Sequence, residues 1–522
     1  MTRLLSARWF RHPAFIVFIV GMSVPFAYAP LRVAPLFFIA YAVFFTHAWR
    51  AVSRPTQLFL LGWAFAFGQL LVGLYWIGHA FLVDAEQFLW ALPFAVTLLP
   101  AGLALFAAGA VTLWGALCRR FSLDKNQLAA FLLLALMWSA GETARAHVLT
   151  GFPWNLPTMV FASWVYPSQW VALVGIHGLG LLALICAALL AYPGARARGI
   201  GVALIVVVIG VGVVRVGVLA PDTRSNVISK ANQLVLVQPN IDQKEKWDPA
   251  RRADIIDALF DQTHRAIQNN PAARLIVWPE AALPLYLDES TTFAKRLAGL
   301  LPRDTSLLTG AIRRTIDAND TRYFNSVMLW SGDGQLLATR DKTHLVPFGE
   351  YLPFQRVLEA IGLRQLTQLR GGYTSGHDRT PITLPDGRRL NPLVCYEAIF
   401  PYRAAATPRP DMLVNVTNDG WFGTSAGPYQ HLAQASLRAV EQGLPLVRVA
   451  NTGVSALVDG FGRTVGQIGL AQSGVIVAEL PPPLHPTTFA RVGHGPYALI
   501  WLISVWVLCR RRYRNKLIPD PQ

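Results

Sequence analysis

The strongest constraint on this chain is a series of long apolar runs, most of them near the length that a helix needs to cross a lipid bilayer. A helix rises 1.5 Å per residue, so about 20 residues span the ~30 Å hydrocarbon core. Seven runs precede a more polar segment and one follows it, and the fifth run is shorter than the others. The runs lie at roughly 12–29, 31–48, 57–80, 88–117, 126–141, 167–192, 199–220 and 493–509.

The composition supports the same conclusion. Hydrophobic residues make up 53% of the chain and charged residues 15%, and the mean hydropathy is +0.37, which is typical of membrane proteins. The net charge of +16 would also suit a nucleic-acid binder. However, the basic residues cluster in short loops between apolar runs, and no nucleic-acid-binding motif occurs. We therefore predict a membrane protein that does not bind nucleic acid.

Lysine and arginine are concentrated in every second loop. The N-terminus and the loops after the second, fourth and sixth runs are basic, whereas the alternate loops are much poorer in basic residues. Because cytoplasmic loops carry the excess of Lys and Arg, the N-terminus is predicted to be cytoplasmic. The pattern predicts a seven-helix membrane domain over 1–221, an extracytoplasmic domain over 222–490, and a last span with a basic cytoplasmic tail over 491–522.

The first run has a second interpretation. Basic residues, an apolar stretch and Ala27-Tyr28-Ala29 resemble a cleavable signal peptide. We favour an uncleaved span, because cleavage would remove one crossing and break the charge alternation. A mature N-terminus at Pro30 would contradict this interpretation.

The polar segment has the pattern of an α/β domain. Short β-rich runs alternate with helical stretches such as 249–268, which predicts a layered α/β fold. The predicted strands are 234–237, 275–278, 306–310, 326–330, 393–396, 412–416, 445–450 and 455–459.

Three reactive side chains lie in this segment. Glu280 follows an apolar strand and is a candidate general base. Lys342 can stabilise an oxyanion, and Cys395, at the end of another strand, is the only cysteine of the polar segment. Taken singly, each has an ordinary alternative: a solvated loop carboxylate, a surface charge and an inert core thiol. His344 has no partner at metal-like spacing, so we predict no metal site.

Taken together in the order Glu, Lys, Cys, these residues resemble the nitrilase superfamily, whose members carry such a triad in an αββα sandwich. Three further motifs match that superfamily, at 415–423, 438–441 and 448–453. The closer resemblance is to its membrane branch, the apolipoprotein N-acyltransferase family. It is carried by the spans, by Thr150-Gly151-Phe152-Pro153-Trp154, by the run 344–350 and by Cys395-Tyr396-Glu397. Thr417 and the segment 493–496 depart mildly from the usual forms.

The resemblance implies a function without metal or cofactor. Cys395 would take the sn-1 acyl chain of a phospholipid, typically phosphatidylethanolamine, as a thioester. The acyl chain would then pass to the α-amine of the S-diacylglyceryl cysteine of an apolipoprotein, as the last step of lipoprotein maturation. It also implies a bacterial inner membrane location with the catalytic domain in the periplasm.

The same resemblance implies roles for individual residues. Glu280 would be the base and Lys342 the oxyanion donor, with the Tyr396 amide as a second donor. Glu350 and Glu397 would support the triad, and Trp247 would contact substrate. From their spacing of one helical turn, Glu142 and Arg145 are further candidates for binding a lipid headgroup.

Three alternatives remain open at the level of sequence. A membrane-anchored nitrilase-type amidase would use the same triad with water as the acceptor. A transporter with a fused outer domain is disfavoured, because the runs contain few charges and no evident inverted repeat. A lipoprotein-binding scaffold without catalysis would not require the thiol.

Overall fold

The computed structural model describes residues 11–219, 233–317, 320–360, 365–367 and 372–517. They form two compact units, the first from the described residues of the ranges 1–75, 91–219 and 487–522 and the second from those of the ranges 76–90 and 220–486. The short segment 76–90, which the sequence pattern assigns to the membrane domain, therefore groups with the second unit. The predicted boundary between residues 221 and 222 lies outside the described residues, as do the first ten residues.

The first unit is helical. Several of its helices begin with proline in the first turn, where the missing N–H costs nothing. Among the described residues, five helical stretches are long and apolar enough to cross a membrane: Pro55–Gly73, Ala85–Arg120, Gln127–His147, Val171–Ala191 and Ala195–Leu219. The second stretch comprises the helix Ala85–Phe88, the 3-10 turn Leu89–Ala91 and the helix Leu92–Arg120, of which Leu92–Arg120 lies in the first unit. The remaining helices of the first unit are Pro13–Ser23, Ala34–Arg50, Met159–Ala162, Val165–Ser168, Thr488–Val492 and Gly495–Leu517.

These five apolar helical stretches confirm the prediction of a membrane domain. The first two runs and the last run also lie on helices, Pro13–Ser23, Ala34–Arg50 and Gly495–Leu517. Apolar helical stretches of fewer than 18 residues occur at Pro13–Ala27 and Gly495–Val507.

The second unit contains two six-stranded sheets. The first has the strand order β12-β1-β2-β3-β4-β5 and the second the order β11-β10-β9-β8-β7-β6. The strands are β1 Gln233–Gln238, β2 Leu275–Val277, β3 Ser306–Asp317, β4 Asp320–Ser331, β5 Leu336–Asp341, β6 Ile382–Thr383, β7 Arg389–Val394, β8 Met412–Thr417, β9 Leu446–Ala450, β10 Ser455–Val458, β11 Thr464–Ile468 and β12 Gly474–Glu479.

Alternating side chains give this unit its layers. In β1, Leu234 and Leu236 enter the core shared by the two sheets, whereas Val235 and Val237 pack with side chains of two helices, Arg252–Asn269 and Thr291–Leu300. The outer face of the second sheet packs against the helix Gly427–Gln442. The other helices are Ala80–Val83, Ala85–Phe88, Gln355–Ala360 and Pro401–Ala404. The predicted nitrilase-like α/β fold with two sheets is confirmed.

The strand directions bring reactive groups to one edge of each sheet. β2 and β3 are parallel. β5 runs in the same direction as β3, because β3 and β5 are both antiparallel to β4. β7, β8 and β9 are parallel in the second sheet. Residues that follow β2 and β5 therefore emerge at the same edge of the first sheet, and Cys395 directly follows β7.

Candidate active site

Glu280 lies three residues beyond the end of β2 and is nearly buried, with 7% of its surface exposed. Its Oε1 accepts a hydrogen bond of 2.7 Å from Asn325 Nδ2 and lies 3.8 Å from Lys342 Nζ. Burial raises the pKa of Glu280, Lys342 lowers it and Glu350 raises it again, so that the pKa ends above its ordinary value. A carboxylate with a raised pKa is suited to take up a proton during a reaction.

Lys342 directly follows β5 and is 1% exposed. Its Nζ donates to Glu350 Oε1 at 2.9 Å, and Glu350 also accepts from Asn325 Nδ2 at 3.0 Å and from the Val346 amide at 2.8 Å. Burial alone would lower the pKa of Lys342, but the nearby Glu350 and Glu280 outweigh that effect and raise it. Lys342 is therefore a fixed cation beside Glu280.

Cys395 begins the turn after β7, with a φ of 49°. A residue other than glycine in this left-handed region carries backbone strain of about 1–3 kcal/mol, which is common where a reactive side chain is held in position. Burial, and next the charge of Glu280, raise the pKa of the thiol although Lys342 opposes them. The resting group is thus a thiol that needs a base before it can act as a nucleophile.

Glu397 connects the loop after β5 to the turn after β7. Its Oε1 accepts from the amides of Thr343 at 2.9 Å and His344 at 3.0 Å, and its Oε2 accepts from the amide of Val394 at 2.9 Å. One carboxylate therefore fixes the residues beside both Lys342 and Cys395.

A buried polar cluster contacts the carbonyl oxygen of Cys395. His431 Nε2 lies 3.1 Å from the Cys395 oxygen, and His431 Nδ1 lies 2.9 Å from Asp419 Oδ1. Arg448 pairs with Asp419 at 2.6 Å. Burial would raise the pKa of Asp419, but Arg448 and His431 lower it to about 2. The cluster is charge-paired and holds the strained turn.

The other predicted residues lie in different surroundings. The side chain of Trp247 is 46% exposed. Glu142 and Arg145 are buried in the first unit, where they form an ion pair, and Arg145 Nη1 donates to the Phe152 carbonyl oxygen at 2.6 Å. The structure therefore groups Glu280, Lys342, Glu350, Glu397 and Cys395 in one site of the second unit, with Glu142 and Arg145 in the other unit.

The sequence patterns singled out no role for several residues of the site. Asn325 lies inside a strand and His431 inside a helix, so neither stands out in a single sequence. Asp419 and Arg448 belong to the motifs at 415–423 and 448–453, but their pairing depends on the sheet register.

His344, the histidine considered as a metal ligand, has a pKa shifted away from its ordinary value. Burial lowers the pKa of His344, the charges of Arg403 and Lys342 lower it further, and the pKa ends at about 4. In the described ranges no group of three or more His, Cys, Asp or Glu side chains is arranged to hold a metal ion.

Two stacked sheets with a carboxylate, an ammonium and a thiol at their strand ends define a carbon-nitrogen hydrolase domain, here joined to helices able to cross a membrane. Residues 234–485 match the carbon-nitrogen hydrolase family, and residues 20–189 match the apolipoprotein N-acyltransferase N-terminal domain. The chain belongs to the apolipoprotein N-acyltransferase family.

Two full-length relatives, from Rhodopseudomonas palustris and Bradyrhizobium diazoefficiens, support this assignment. The apolipoprotein N-acyltransferase of Rhodopseudomonas palustris is 40% identical over 98% of this chain and 97% of its own length. That of Bradyrhizobium diazoefficiens is 38% identical over the same shares. A solved amidase from Nesterenkonia sp. is 21% identical, with 53% of this chain and 100% of the amidase covered and a TM-score of 0.37. The prediction of an N-acyltransferase of the nitrilase superfamily, which acts on lipoproteins, is confirmed.

Proposed function

We propose that Cys395 carries the acyl group during transfer and that Glu280 and Lys342 complete its catalytic triad. The observation that carries this proposal is the convergence of the three buried groups at strand ends, with Lys342 Nζ 3.8 Å from Glu280 Oε1. Glu280 and Lys342 also act electrostatically on the Cys395 thiol. Covalent catalysis lets two lipid-anchored substrates use one site in turn.

In the first step the Cys395 thiol gives its proton to Glu280, and the thiolate attacks the sn-1 ester carbonyl of a phospholipid, here proposed to be phosphatidylethanolamine. Lys342 and the Tyr396 amide stabilise the oxyanion. The carbon–oxygen bond of the ester breaks, and the lysophospholipid leaves as an alcohol with the proton from Glu280. The acyl chain remains on sulfur as a thioester.

In the second step the α-amine of the S-diacylglyceryl cysteine attacks the thioester. Glu280 removes a proton from the amine, the carbon–sulfur bond breaks, and the proton returns to Cys395. The products are an amide and the free thiol. Glu350 and Glu397 support the reaction by holding Lys342 and the strained turn in place.

Three residues are proposed to contact substrate rather than to react. The exposed ring of Trp247 is available to an acyl chain or a lipopeptide. Glu142 and Arg145 are a charged pair on an apolar helix, Gln127–His147. Charged side chains at such positions commonly serve a function, and we propose that this pair contacts the lipid headgroup.

The proposed setting is the bacterial inner membrane, crossed eight times, with the catalytic domain on the periplasmic side. This proposal keeps the domain division at 1–221, 222–490 and 491–522. It is supported by the charge alternation of the loops and by the apolar helices of the first unit.

The decisive experiment incubates purified enzyme with phosphatidylethanolamine and measures the mass of the peptide that contains Cys395. One acyl increment is expected, and a diacylated lipopeptide should discharge it to an N-acylated product. Cys395→Ala should carry no increment and form no product while it inserts normally into membranes. A normal product yield from this variant would refute the mechanism. Release of the acyl group only as free fatty acid would favour the water-using amidase.

The other triad members are tested in the same assay. Glu280→Gln and Lys342→Met are expected to block thioester formation, because the first removes the base and the second removes the cation that stabilises the oxyanion. Cys395→Ser is expected to form an oxyester slowly, since a hydroxyl is a weaker nucleophile than a thiol.

A further inference from the structure

A second buried lysine lies beside the base of the triad. Lys246 is 1% exposed, and its Nζ donates to the backbone carbonyl oxygen of Glu280 at 3.2 Å. The neighbouring Trp247 is instead half exposed. Lys246 takes no part in the proposed reaction steps, although burying an ammonium group is costly unless it has a partner.

The loop that contains Lys246 is tied to the second sheet. The Asn240 amide donates to the Asn451 carbonyl oxygen at 3.0 Å, and Asn418 Nδ2 donates to Gln243 Oε1 at 2.6 Å. Both partners follow strands of the second sheet, Asn418 after β8 and Asn451 after β9. These hydrogen bonds anchor the loop, so the fold of the domain places Lys246 beside Glu280.

The charges around Glu280 show what this lysine contributes. The ionisable groups that act on Glu280 are Lys342, Glu350 and Lys246, and Glu280 in turn acts on Cys395 and Tyr373. With the thiol and the phenol neutral, two carboxylates face two ammonium groups. Without Lys246 the two carboxylates would share Lys342 alone, and the buried site would hold a net negative charge.

We propose that Lys246 is a positioning residue for Glu280, which holds its backbone and supplies the second positive charge that keeps its carboxylate ionised in the resting enzyme. This inference rests on the proposed role of Glu280 as the base. It extends that role by assigning a residue that sets the working pH range of the base.

The sign of the expected pH effect follows from the charges. Burial lowers the pKa of Lys246 to about 8, and Glu280 opposes that decrease, so the amine is mostly protonated at neutral pH. Removal of a cation raises the pKa of a neighbouring carboxyl group. The base would then become protonated at a higher pH, and the midpoint of the acidic limb of the pH–rate profile would shift to higher pH.

The test measures the rate of acylation of Cys395 by phosphatidylethanolamine in detergent micelles across the acidic and neutral pH range. In Lys246→Met the midpoint of the acidic limb is expected to rise by about one pH unit or more, and the rate should approach that of the parent enzyme above the limb. Lys246→Arg should keep the midpoint close to the parent value, because it keeps the charge. Lys244→Met removes an exposed lysine from the same loop and should change nothing.

Two results would overturn the inference: a midpoint in Lys246→Met that coincides with the parent value, or a rate lowered by the same factor at every pH. If Lys246→Met does not accumulate in membranes, the polar neutral Lys246→Gln takes its place. The proposed function is judged separately in the parent enzyme. Absence of the acyl increment on its Cys395 would refute that function, whereas an increment without the pH shift would refute only the role of Lys246.

Discussion

Glu397 shows how a single side chain can hold two loops of an active site together. Its two oxygens accept backbone amides from the residues next to Lys342 and from the last residue of β7. Hydrogen bonds to a buried charged acceptor contribute more to stability than hydrogen bonds between neutral groups. If a donor replaces that acceptor, the backbone N–H groups lose their hydrogen bonds and face another donor. The position of the triad therefore depends on this carboxylate although it takes no part in proton transfer.

Glu397→Gln tests this dependence. The amide NH₂ must face a backbone N–H, so the two loops should separate, and the rate of Cys395 acylation should fall roughly ten- to a hundredfold, as expected for a displacement of about 1 Å. Stability should fall by about 1–3 kcal/mol, measured by thermal unfolding. Glu359→Gln, which changes an exposed carboxylate on the helix Gln355–Ala360, is the control and should match the parent enzyme. Full activity of Glu397→Gln would show that the link is dispensable.

The sequence predicts the reactive residues but not the groups that surround them. Glu280 and Cys395 were distinguishable because each follows a predicted apolar strand, whereas Lys342 was distinguishable only through the Glu, Lys, Cys order that resembles the nitrilase superfamily. Lys246 was not, because nothing in its local sequence shows that it meets Glu280 across 34 positions of the chain. The same holds for Asp419 and Arg448, whose pairing is set by the register of β8 with β9.

Among the elements, β3 packs closely against the segment that carries the base. Gly310 lies in β3, and a Cβ atom at this position would come within 2.5 Å of Glu280 Cα and 2.7 Å of the Pro279 oxygen. Both are backbone atoms, which cannot move aside as the end of a flexible side chain can. The segment that carries Glu280 therefore packs directly on a strand position without a side chain.

Gly310→Ala should displace Glu280 and lower the rate of Cys395 acylation by about a hundredfold, with a lowered melting temperature from the strained contact. Gly299→Ala is the matched control, since its position in the helix Thr291–Leu300 has open space around the new methyl group. Because alanine favours helices over glycine by up to about 1 kcal/mol, this control should retain activity and unfold at the same or a higher temperature. Equal activities of the two variants would contradict the proposed packing constraint.

The strand predictions succeeded where both faces are buried and failed at the margins of the sheets. All eight predicted strands are present, and β1, β2 and β8 are buried almost throughout. The four that were missed, β5, β6, β11 and β12, each lie at the end of a sheet. Strands such as β5 and β11 have many exposed positions, so their sequences lack the apolar signal that marks an interior strand.

For the whole molecule, the distribution of charge predicts the orientation in the membrane. Alkaline phosphatase fused after residue 486 should be active, because the proposed position is periplasmic. Green fluorescent protein fused after residue 522 should fluoresce, because the basic tail should remain in the cytoplasm. Measurement of both fusions in intact cells tests the periplasmic position of the catalytic domain and the last crossing. An inactive phosphatase fusion beside a fluorescent tail fusion would reject the proposed topology.

The grouping of residues 76–90 with the second unit has a consequence for protein engineering. Within that unit the ring of Trp76 lies 4.4 Å from that of Phe422, and His79 packs closely against Gly423. A gene fragment that encodes only residues 220–486 would omit these partners and leave an apolar surface uncovered, which favours aggregation. A soluble version of the catalytic domain would therefore have to be built from two separate pieces of the gene, with residues 76–90 grafted back through a designed linker.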